Sequence, residues 1–170
     1  MFFLLDEPCE VKYENMAWND IWDRLNRPVL NSHVRDVMFL LIHNILPTRE
    51  RLFRLNQCRD DQCDQGDGLE NIEHLFTGCV RTQVAWAWCR HLMPDSPTYP
   101  SNFELINLAY ESLMVDEICW LVSQYCFYVY EQKKMRAHNY TFDVDKLRKH
   151  LMELYVLNQG SQNVLAYIPF

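Results

Sequence analysis

Four residues in one short segment offer coordination chemistry: Cys58, Cys63, His74 and Cys79, within CRDDQCDQGDGLENIEHLFTGC. Thiolate sulfur and imidazole nitrogen are the donors that zinc takes in a closed tetrahedron, usually as two close pairs separated by a loop. Here the spacing is Cys-x4-Cys-x10-His-x4-Cys. In the second half, HLFTGC can form one helical turn that unwinds at Gly78 and presents His74 and Cys79 together. The first pair is wider, and Asp60, Asp61 and Asp64 stand nearby as oxygen donors. With three thiolates and one imidazole the shell is full, so such a site is structural and has no open position for substrate. The alternative is a free or disulfide-paired Cys58 and Cys63 with His74 as a surface residue. Cys9, Cys89, Cys119 and Cys126 fall outside the spacing and suit the role of small buried hydrophobes.

The elements that must hold this loop are helical. Trp18, Ile21, Trp22 and Leu25 recur at i, i+3, i+4 and i+7, one stripe of a helix that Pro28 follows. Asn31 or Ser32 can cap a second helix with Val34, Val37, Met38, Leu41, Ile42 and Ile45 inward, which Pro47 forbids from continuing. Thr48 caps a short third helix, Arg49 to Leu55. The periodicity then stops from Cys58 to Leu69, where Gly66 and Gly68 permit tight turns among acids. A polar loop of this kind needs an anchor other than hydrophobic burial. The next helix is expected over about Cys79 to Met93, burying Val80, Val84, Trp88 and Leu92.

Pro94, Pro97 and Pro100 mark a linker over 94–101. Ser101 and Glu104 make a capping box for a helix to about Tyr110. Asp116 opens a long apolar helix that ends in Lys133, Lys134 and Arg136, and Asp143 caps a last one carrying Val144, Leu147, Leu151, Leu154 and Tyr155. The expectation is an all-α, compact domain of about six to seven helices with an irregular zinc-binding loop. Its parts would be an N-terminal arm (1–16), a zinc-binding helical region (17–93), the linker, a C-terminal helical region (102–157) and a tail (158–170).

Composition limits the function. The 170 residues are 49% hydrophobic and 14% aromatic with four glycines, a packed chain rather than a disordered one. Its net charge of -7 argues against a generic polyanion binder. The N-terminus MFFLLDEPCE has too short an apolar stretch and no basic lead for an export signal. Ile118 to Tyr130 is interrupted by Ser123 and Gln124 and falls short of the roughly 20 residues a bilayer requires. The expected setting is therefore intracellular, nuclear or cytoplasmic, not secreted and not membrane-bound, with seven cysteines kept reduced. No phosphate-cradling glycine loop, GxSxG elbow or HExxH motif is present, so neither an enzyme nor a small-molecule substrate is indicated. Arg49, Arg51, Arg54 and Arg59, with Arg81 beyond the last ligand, could form a basic face for RNA or DNA phosphates. Equally they could neutralise Asp60, Asp61, Asp64 and Asp67.

An ordered set of residues resembles the zinc-binding region that follows the reverse transcriptase in non-LTR, LINE-type retrotransposon proteins. Trp18 and Trp22 form a W-x3-W opening; Leu46-Pro47-Thr48 followed by Arg51-Leu52 looks like the family's LPT-x2-RL turn; Glu70, His74, Leu75, Phe76 and Cys79 fit its E-x3-HLF-x2-C element; and Trp86 falls where the family places a tryptophan. The likeness covers about residues 17 to 93, and the helix Cys119 to Arg136 is similar to the apolar, base-ended helix that follows. The family usually has Cys-x2-Cys in the first pair and often Thr after the glutamate, where this chain has Cys-x4-Cys and Asn71. No polymerase catalytic turn is present. The resemblance implies a non-catalytic zinc module that helps seat RNA or DNA; the alternative is a protein-interaction module with a structural zinc site and no nucleic-acid contact.

Overall fold

The computed structural model describes residues 18–28, 30–66, 68–93, 101–109, 115–134 and 143–157. The expected N-terminal arm, residues 94–100 of the linker, the tail, Cys9, Asp67, Tyr110 and Arg136 lie outside them. Among the described residues the fold is all-α: seven α-helices, one π-helical turn and a single isolated bridge between Gln62 and Leu69. None of these helices is long and apolar enough to cross a membrane.

The first helix, α1 (Trp18–Leu25), buries Ile21 and Leu25 as its stripe requires. Arg24 is buried with them, and its guanidinium donates to the carbonyl of Leu108, which satisfies a charge that burial would otherwise strand. In α2 (Ser32–Ile42) the cap is Asn31, whose Oδ1 accepts the Val34 N–H at 2.9 Å. Val34, Val37, Met38, Leu41 and Ile42 face inward as expected. Ile45 does not: it is 36% exposed. The helix stops at Ile42 and Asn44 takes a left-handed φ of 55°, so the stripe loses its phase before Pro47 is reached. Thr48 caps α3 (Arg49–Arg54) through Oγ1 and the Arg51 N–H at 3.3 Å.

The helix after the loop, α4 (Gln83–His91), is rotated from the expected setting. Ala85, Trp86 and Cys89 face the core, whereas Val80 is 50% and Val84 63% exposed. Two apolar stripes compete along this stretch, and tertiary packing chooses between them. The indole of Trp86 lies 5.2 Å from the Tyr125 ring and its Nε1–H donates to Asn102 at 2.9 Å, an anchor that neither valine can match. Helix α5 (Asn102–Ile106) begins with the expected capping box, Ser101 Oγ accepting the Glu104 N–H and Glu104 accepting the Ser101 N–H.

The centre of the fold is α6 (Val115–Lys134). Every described side chain from Ile118 to Cys126 is buried, the signature of a helix enclosed on all sides rather than half-exposed. It packs against α1, α2, α4, α5 and α7 (Val144–Leu157), and one core cluster runs from Ile21 to Leu151. Asp143 Oδ1 caps α7 by accepting the Asp145 N–H at 2.9 Å, and Leu147 and Leu151 fill its inner stripe.

Candidate metal centre

Between α3 and α4 the chain makes two structures back to back. The first is a knuckle: Glu70 N–H donates to Asp61 O, Cys63 N–H to Gly68 O and Gly66 N–H to Cys63 O, so residues 61 to 70 double back and leave Cys63 at the bend. Gly68 has φ of 139°, a conformation that side-chain-bearing residues rarely adopt, and it lies against the His74 ring. The second is the π-helical turn His74–Gly78. Positions five apart on an α-helix lie about 140° apart around the axis. Here the Cys79 N–H reaches back five residues to His74 O at 2.7 Å, so the extra residue brings the two side chains to one side.

Asn71 starts this turn. Its Oδ1 accepts the His74 N–H at 2.8 Å and its carbonyl accepts the Leu75 N–H at 2.9 Å. From behind, the Tyr125 hydroxyl donates to Phe76 O, a carbonyl of the π turn. Burial pushes that phenol well above its ordinary value, which keeps it a donor.

The knuckle and the turn bring Cys63, His74 and Cys79 together, with one ligand atom from each lying within 4.8 Å of the others. The sulfurs of Cys63 and Cys79 are 3.7 Å apart, both buried, and not joined as a disulfide. Two thiolates on one tetrahedral zinc at about 2.3 Å sit about 3.8 Å apart, so the spacing suits a shared ion. The donor set, two soft sulfurs and an imidazole, fits the same group of metals.

Cys58 stands outside this group. Its thiol points to the carbonyls of Asp60, at 3.0 Å, and Arg49, at 3.5 Å. Arg49 organises this edge of the loop. Its guanidinium pairs with Asp60 and Asp64, its N–H donates to Glu70 Oε1 and its carbonyl receives Cys58. The hydrogen bond from Arg49 is the main reason that the Asp60 carboxyl sits below its ordinary value. Of the other arginines, Arg51 donates to Asn44 O at 3.3 Å, Arg54 lies 3.9 Å from Glu50, Arg59 is exposed and Arg81 half-buried. The thiols of Cys89 and Cys126 are held protonated by burial, in keeping with packing roles, and Cys119 is likewise buried.

Two residues matter more than their local sequence shows. Glu70 is 1% exposed and pairs with Lys133 near the end of α6 while accepting the Arg49 N–H. Lys133 is thus a partner of the loop that carries Cys63, not only a complement to a helix end. Comparison with known proteins finds no family model, no curated relative and no solved structure that matches this chain.

Proposed function

We propose that this protein is a non-catalytic helical module held in shape by a zinc ion, with Cys63, His74 and Cys79 as ligands and Cys58 turning in as the fourth when metal arrives. The carrying observation is the 3.7 Å separation of two buried sulfurs beside an imidazole. Structural zinc supplies about 10–16 kcal/mol of apparent binding free energy, as large as the whole stability of an ordinary domain. Native mass spectrometry should find one zinc per chain, and His74→Ala or Cys79→Ser should release it and lower the melting temperature. A metal-free protein with an unchanged melting curve refutes the site.

The resemblance to the retrotransposon zinc region supports a task at nucleic acid, with Arg54, Arg59 and Arg81 offering phosphate contacts and the zinc loop fixing their positions. Arg49 favours the alternative, a protein-interaction module, because its guanidinium is already engaged by Asp60 and Asp64. Titrating single-stranded RNA and DNA against salt separates the two. Binding that weakens steeply with salt supports the first, and none at low ionic strength leaves the second.

A further inference from the structure

The outer face of α4 has a spacing that its exposure leaves unexplained. Cys79 O accepts the Gln83 N–H at 2.9 Å, so helical winding begins a turn ahead of α4, at Val80. From there Val80, Val84, Ala87 and His91 follow at steps of four, three and four, and all four are exposed. That spacing is the seam by which one helix packs along another, and Ala87 at its middle permits close approach. It lies opposite the buried Ala85, Trp86 and Cys89, so the core does not use it.

Charge identifies what would cover it. The whole chain carries 23 aspartates and glutamates, yet none occurs from Val80 to Met93. Arg81 and Arg90 fall at the flanks of the seam. From α7, Arg148 reaches over the face of Trp88 with its guanidinium carbon 5.8 Å from the ring centroid. A second copy of the same face would set cation against cation, which opposes pairing.

We propose that this face is a docking surface for a partner protein's amphipathic helix with an aliphatic seam and acidic flanks. The helix lies along Val80, Val84 and Ala87 and places its carboxylates toward Arg81 and Arg148. The proposal does not depend on the metal site.

The test uses the full chain as purified and two synthetic helical peptides that share a leucine–alanine seam, one flanked by glutamates and its twin by lysines. Calorimetry should show the glutamate peptide binding at least about tenfold more tightly than the lysine twin, with affinity falling as salt rises. Val84→Glu is a surface change that should preserve the circular dichroism spectrum, and it should weaken binding at least about tenfold. Ala87→Glu gives the same readout should Val84→Glu fold poorly. Absent binding, equal affinity for the two peptides, or no response to either variant overturns the proposal. So does self-association that Val84→Glu abolishes, which makes the occupant a second copy. Peptide binding that appears only after removal of residues 158–170 also overturns it, because the chain's own tail would then be the occupant.

Discussion

Glu70 and Lys133, 63 residues apart in the chain, form an ion pair between the candidate metal loop and the central helix. The carboxylate is almost wholly buried and also holds the N–H of Arg49 at the start of α3. One side chain therefore ties the loop, α3 and α6 together.

Removing only the cation should be worse than removing both charges. Lys133→Met strands a buried carboxylate and is expected to cost about 3–5 kcal/mol. In the double variant Glu70→Gln with Lys133→Met, the amide oxygen still accepts from Arg49 and no charge is stranded, so stability should partly recover. Urea unfolding of the three proteins measures this; a double variant less stable than Lys133→Met alone would count against the pairing.

Asn71 should tolerate one exchange and not another. As the cap of the turn that carries His74, Asn71→Thr is expected to be nearly neutral, whereas Asn71→Ala should cost about 1 kcal/mol. Thermal unfolding at fixed zinc concentration distinguishes them.

Cobalt substitution tests Cys58. Thiolate-to-cobalt charge-transfer absorption grows with the number of sulfur ligands, so Cys58→Ser should lose about a third of it if three thiolates bind. An unchanged spectrum would assign the fourth position to another donor.

His150 on α7 packs against the Tyr128 ring at 5.2 Å, and its buried Nε2 has no hydrogen-bond partner among the described residues. Burial holds the imidazole below its ordinary value of 6.5, with Glu153 opposing the shift. The unfolded chain therefore takes up this proton more readily than the folded one. This contribution to stability is fully present above about pH 6.5 and declines as the pH falls toward the folded value. His150→Phe keeps a ring against Tyr128 and should flatten the stability profile as the pH falls below about 6.5. A profile parallel to the original would exclude the mechanism.

Local chemistry was the legible part of the sequence. Caps at Asn31, Thr48, Ser101 and Asp143 depend on residues within one turn, and they formed where the sequence places them. The pairing of His74 with Cys79 was legible for the same reason, although the extra residue in the turn was not. What failed depended on tertiary choice: Val80 and Val84 belong to one of two competing stripes, and only Tyr125 and Asn102, distant in sequence, decide between them. Ile45 was misplaced because left-handed Asn44 breaks the phase. No pattern in a single chain could join Glu70 to Lys133 across 63 residues.

The enclosure of α6 has a consequence for synthesis. Its flank supplies Tyr125 and Lys133 to the back of the candidate metal loop and covers α1 and α2, yet it is made after all of them. Domains fold as units as they emerge, so the apolar faces of α1, α2 and α4 that α6 covers stay uncovered at least until residue 134 has left the ribosome. The nascent thiols of Cys63 and Cys79 are present throughout that wait. The loop that carries Cys63, His74 and Cys79 is therefore complete in sequence before the helix that backs it exists.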